Sequence, residues 1–152
     1  MPSSLNHPIP TLRDPSYIAP DKARIYVFVR TDITLAQQGV QAAHAAVEAG
    51  ARFYEPAKHG VASLILLQLS DLRALGKAQD ALAVAGIDFT TFHEPDQDQA
   101  RAPGTPMGLS ALATRPMLAH EWEFFRRWRL WNGQKHAAAL PLTHAEEALI
   151  SV

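Results

Sequence analysis

The stretch 30-RTDITLAQQGVQAAHAA-46 decides how the rest of the chain is read. It follows the apolar run 24–30 (RIYVFVR) and reads as the turn from a strand into a helix. Thr34 offers an N-cap hydroxyl and Gln37, three positions on, completes a capping-box spacing. The helix is therefore expected to start there and to run to Tyr54, where Glu55-Pro56 stops it. Its apolar positions Ala36, Val40, Ala43, Val47 and Ala51 recur at helical spacing and are expected to face a sheet, with small side chains allowing a close approach. Gln37, Gln41, His44 and Glu48 fall on another face and form a polar stripe that calls for a chemical explanation.

Upstream, Ile25, Val27 and Val29 alternate with Tyr26 and Phe28, so both faces of the 24–30 strand are apolar, as in a strand covered on both sides. Downstream, 62–69 (ASLILLQL) reads as a second buried strand. Ser70 or Asp71 then caps a helix carrying Leu72, Leu75 and Leu82, which ends at Gly86, a natural left-handed stop. The run 87–93 (IDFTTFH) gives a third strand and 109–115 (LSALATR) a fourth, closed by Pro116. Strand, helix, strand, helix, strand is the order of a parallel-rich sheet with right-handed crossovers. The expected fold class is α/β, a four-stranded mixed, parallel-rich sheet with helices on both faces, plus a C-terminal aromatic helix. Between strands three and four, 95–108 reads as a long loop of the kind that is functional or mobile.

The ends differ from this core. Five of the 11 prolines lie in the first 23 residues, which fixes φ and removes donors too often for a helix or central strand, so 1–23 is expected to be an arm. Residues 24–116 form the expected α/β domain and 117–152 its helical extension. There, 118–131 holds all three tryptophans and reads as an amphipathic helix, followed by an Asn132-Gly133 turn and a short helix capped by Thr143 with Glu146. Trp122, Phe125 and Trp128 at helical spacing imply packing, on the domain itself or across a homodimer; interleaved with Arg126, Arg127 and Arg129 they also have the composition of a single-strand nucleic-acid surface.

With 152 residues, 47% of them hydrophobic, the chain can bury a core. A net charge of −1 advertises no global attraction for nucleic acid, so an RNA contact would be a local patch. Cysteine is absent, which excludes disulfides, a thiol nucleophile and cysteine-ligated metal. The longest apolar run, 61–67, is too short to cross a bilayer, and with no signal peptide in view a cytoplasmic location is expected. Neither a GxGxxG nor a P-loop motif is present, so no nucleotide cofactor is expected. His44, His93 and Glu94 lack metal-ligand spacing, and His93 and Glu94 point to opposite faces of a continuing strand, so no metal is expected either.

Taken in order, Arg30, Asp32, Gln41, His44-Ala45 and Glu94-Pro95, then 110–116 (SALATRP), resemble the peptidyl-tRNA hydrolases of the archaeal and eukaryotic type, and more closely the peptidyl-tRNA hydrolase domain-containing group. The resemblance spans residues 24–116. It implies hydrolysis of the ester joining a peptide or blocked amino acid to the 3′ end of tRNA, with no cofactor. His44, Glu94 and Gln41 would be catalytic, His44 and Glu94 supplying acid and base to an attacking water. Arg30, Asp32, Gln37, Asp98, Arg101, Ser110, Thr114 and Arg115 would contact substrate. Gln37 has a second reading as the capping-box residue, and Arg30 and Arg115 as solvated strand ends. Leu35 and Gln37 stand where classical relatives carry lysines, and Asp98 where they carry Thr. These departures give the alternative expectation, a catalytically weak or inactive member acting as an RNA-binding or protein-interaction module.

Overall fold

The computed structural model describes residues 22–97 and 106–134. The expected arm up to residue 21, Asp98, Arg101 and the helix at Thr143 lie outside the described residues. In chain order the elements are β1 (Arg24–Arg30), α1 (Leu35–Phe53), α2 (Pro56–His59), β2 (Ser63–Leu69), α3 (Leu72–Val84), β3 (Phe89–Gln97), β4 (Pro106–Thr114), a 3₁₀ helix (Ala119–Arg127) and β5 (Arg129–Leu130).

The protein is α/β, with one mixed sheet in the order β3-β4-β1-β2-β5. Among the described residues it has five strands rather than four, because the chain after the aromatic segment returns as β5 and pairs Leu130 with Leu67 and Arg129 with Gln68. The parallel-rich expectation is also corrected. Among the described strands only β1 and β2 pair in parallel; β1–β4, β3–β4 and β2–β5 are antiparallel. β3 runs in the same direction as β1 and β2, as two crossovers require, but β4 lies between β3 and β1. The loop expected over 95–108 is correspondingly shorter, since β3 extends to Gln97 and β4 begins at Pro106.

Local chemistry accounts for the helix starts. The Thr34 hydroxyl accepts from the Gln37 N–H at 3.3 Å and the Gln37 Oε1 accepts from the Thr34 N–H at 3.3 Å, a reciprocal capping box. Asp71 Oδ1 accepts from the Ala74 N–H at 2.8 Å to open α3, and Gly86 at φ 69° ends the segment that follows it. The face that α1 buries is not the expected one. Gln38, Gln41, Ala42, Ala45 and Ala49 are buried, whereas Val40 is 52% and Val47 72% exposed. Two glutamines go inside because their amides find partners. Gln38 Nε2 donates to the Ile33 carbonyl at 3.0 Å, and its Oε1 accepts from Trp131 Nε1 at 2.8 Å.

Two apolar layers sandwich the sheet. Ala42, Ala45 and Ala49 of α1 press on Ile25, Val27, Val29, Ala111 and Ala113 on one face. On the other, Tyr26, Phe28, Leu67 and Leu112 meet Leu75, Ala78 and Leu82 of α3, together with Phe125 from the 3₁₀ segment. The aromatic tail is thus 3₁₀ followed by a strand rather than one helix. Phe125 stacks on Tyr26 with ring centroids 3.8 Å apart, and Trp128 meets Phe28 edge-on at 4.9 Å. Trp122 donates its Nε1–H to the Met117 carbonyl at 3.0 Å beneath the Arg24 guanidinium. Packing within the chain therefore accounts for all three rings. Among the described residues no helix is long and apolar enough to cross a membrane.

Candidate functional site

The polar stripe of α1 lies against the end of the sheet formed by β3 and β4. There β4 carries one residue more than β3: Phe92 pairs with Ala111 and His93 with Leu109, which leaves Ser110 as the bulged residue. Two positions before it, Gly108 takes φ 66°, a conformation that side chains with a Cβ rarely adopt. The bulge turns the buried Ser110 hydroxyl toward α1, where it donates to Gln41 Oε1 at 2.8 Å, with the Phe92 carbonyl at 3.1 Å as its second acceptor. This bond fixes which end of the Gln41 amide faces the sheet. Its Nε2 then donates to Glu94 Oε2 at 3.2 Å. Ser110, Gln41 and Glu94 form one relay linking β4, α1 and β3.

His44 sits one turn along α1 from Gln41, exposed, with its imidazole parallel to the Phe92 ring at a centroid separation of 4.4 Å. Phe92 and Glu94 are alternate residues of β3 and both meet α1, so the imidazole and the carboxylate occupy the same face of the same strand. His93, between them, is exposed.

Arg30 has a different position from a solvated strand end. It is 0% exposed, and its Nε and Nη2 donate to the two carboxylate oxygens of Asp32 at 2.9 Å each. The register of β1 with β4 stops at Val29 and Ala111. The carbonyls of Leu109 and Met107 beyond it are met by Arg30 Nη1, at 3.1 and 2.8 Å. The guanidinium thus continues the β1 side of the ladder as far as the bulge that carries Ser110. Asp32 is its counterion.

Thr114 and Arg115 are not brought to this place. Thr114 lies four residues along β4, about 13 Å away at strand rise. Its buried hydroxyl accepts from the Tyr26 N–H at 3.1 Å and donates to the Arg115 carbonyl at 2.8 Å. Arg115 forks onto Glu121, with Nη2 to Oε1 at 2.6 Å and Nη1 to Oε2 at 3.1 Å. That hydrogen bond holds the Glu121 carboxyl below its usual range and raises the guanidinium above its own. Gln37, half-buried one turn before Gln41, is the capping residue.

Gln41, His44, Glu94 and Ser110 are therefore gathered, Arg30 and Asp32 brace them from behind, and Thr114 and Arg115 stand at the far end of β4. Two contributors escape a reading of single residues. Phe92 is signalled only by sharing strand parity with Glu94, and the bulge by Gly108 within an otherwise regular strand pattern. Among the described residues no group of three or more His, Asp or Glu side chains converges as a metal site would require. The gathered set has an amide that orients a carboxylate and an imidazole stacked on Phe92 on the same face of β3, groups capable of proton transfer to and from a bound water.

No family model matches the chain, and no curated protein matches it. Among solved structures the chain is similar to Atu0240, a protein of unknown function from Agrobacterium tumefaciens strain C58. The two share 15% sequence identity over 72% of this chain and 98% of that one, with a TM-score of 0.51. A likeness at that identity shows the fold and nothing of the activity.

Proposed function

We propose that the protein hydrolyses the ester between a peptide or blocked amino acid and the 3′ end of tRNA, in the cytoplasm, by direct attack of water. The observation that carries this reading is the relay from Ser110 through Gln41 to Glu94, with His44 stacked on Phe92 one helical turn away. In the resemblance set out above, His44, Glu94 and Gln41 are the catalytic residues and Ser110 a substrate contact. Glu94, oriented by the Gln41 amide, takes the proton of the attacking water. His44 returns a proton to the leaving 3′ oxygen. Ser110 holds the amide in the orientation that points its N–H at the carboxylate, so its role is positioning. No covalent intermediate is called for: there is no cysteine, and the Ser110 hydroxyl faces an amide oxygen rather than a base.

The test uses the full chain and a tRNA carrying an N-acetylated amino acid. Release of the blocked amino acid is expected, and Glu94→Gln and His44→Ala should each slow it by a factor on the order of a hundred. Turnover that survives both substitutions refutes the assignment, and so does a wild-type protein that binds the tRNA without cleaving it.

A further inference from the structure

At the C-terminal end of α1, about 18 Å along the helix from Gln41, Phe53, Glu55, Lys58, His59, Arg115 and Leu118 surround a cavity of about 230 Å³. It stands apart from the proposed catalytic pair and shares no residue with it. Its polar wall contains both signs of charge. Glu55 and Lys58 are exposed and, among the described residues, form no ion pair with one another; Glu55 forms none with Arg115 either. His59 is only 7% exposed. Its Nδ1 accepts the Glu55 N–H at 3.0 Å, so in the neutral ring the proton is on Nε2, which has no protein partner among the described residues. Burial, together with the charges of Lys58 and Arg115, keeps the ring below its ordinary pKa against the opposing pull of Glu55. The same three charges are therefore close to one imidazole.

Arg115 is already compensated by Glu121. A simple anion would meet Lys58 and the His59 Nε2–H, but also the Glu55 carboxylate. A simple cation would meet Glu55, but also Lys58. A molecule carrying both charges satisfies each, and Phe53 and Leu118 supply apolar surface for the remainder. We infer that this cavity binds a small zwitterion of the free α-amino-acid class, its carboxylate toward Lys58 and His59, its ammonium toward Glu55 and its side chain against Phe53 and Leu118.

The experiment is a titration of the full-length protein with L-leucine, followed through the Cε1–H resonance of His59 by NMR at neutral pH, with acetate and propylamine as singly charged controls. Leucine should give a saturable shift that neither control reproduces. Glu55→Gln should weaken leucine binding roughly tenfold or more, the loss expected of one charge-assisted hydrogen bond, and Lys58→Met should weaken it as well. Both positions are exposed, so neither variant threatens the fold. An equal response to acetate makes this an anion site and overturns the inference. Absence of any His59 response to leucine overturns it too, and neither result bears on the hydrolysis assigned to His44 and Glu94.

Discussion

Arg30→Met separates two incompatible roles for one residue, because an arginine that contacts RNA and an arginine that holds the sheet together fail in different assays. In the fold Arg30 is fully buried, and its hydrogen bonds include two to Asp32 and one each to the carbonyls of Met107 and Leu109. Methionine fills much of the volume but donates nothing. The two carbonyls lose a charged donor where β1 no longer supplies a backbone one, and each unsatisfied group costs about 1–3 kcal/mol. Asp32, with its side chain 20% exposed, loses its counterion but keeps some access to water, so its share is smaller than for a fully buried charge. The sum is about 3–5 kcal/mol. At a urea dependence of about 1–3 kcal/mol per molar, the unfolding midpoint falls by roughly 2 M. Arg30→Lys should fall between, since an ammonium reaches either the carboxylate or the carbonyls but has no fork to span both. A midpoint within about 0.5 M of wild type would refute the bracing argument. It would be refuted equally by a variant of normal stability whose tRNA affinity had lost part of its salt dependence, the signature of a deleted phosphate contact.

The orientation of α1 is tested by charging its outward face. Val47→Glu, at a position 72% exposed, should change stability by about 0.5 kcal/mol or less, whereas Ala45→Leu, at a position with no exposure, should destabilise by about 1–3 kcal/mol or more; paired urea curves decide, and the reverse order would place the helix the other way round. His59 makes a pH prediction. Burial holds its folded pKa below that of a free imidazole, so its contribution to stability is complete above the free value and is lost as pH falls toward the folded one. His59→Gln, whose amide oxygen can still accept from Glu55, should therefore lose the corresponding slope between about pH 7.5 and 5.5, a window above the ordinary carboxylate range. Parallel stability-versus-pH curves for variant and wild type would contradict it.

Much of the fold was legible wherever a signal is local. The capping box at Thr34, the Asp71 cap, the Gly86 stop and the doubly apolar β1 each depend on residues within a few positions of one another, and each is found. Strand order was not legible, because nothing in 109–115 says that this strand will lie between β1 and β3 rather than at an edge. β5 was hidden for a related reason. Two residues, Arg129 and Leu130, become a strand only because β2 has a free edge to receive them, and an aromatic run at helical spacing outweighs them in any window.

The inverted helix is the instructive case, since the polar stripe was legible on a helix whose buried face was not. Hydrophobicity favours Val40 and Val47 as core, but Gln38 is satisfied from inside by Ile33 and by Trp131, a residue 93 positions away that no local pattern reveals. At 3.6 residues per turn the buried set at 38, 42, 45 and 49 faces nearly opposite to the expected set at 36, 40, 43 and 47. The polar stripe at 37, 41, 44 and 48 stands roughly a quarter turn from either. It therefore borders the core in both orientations, and only the flank changes. Which flank is set by the Ser110 bulge, where Gln41 finds an O–H donor for its oxygen and a carboxylate for its N–H on two adjacent strands. Sequence spacing thus identifies the side chains that must lie at the boundary between core and solvent. Pairing across the sheet decides what they meet there.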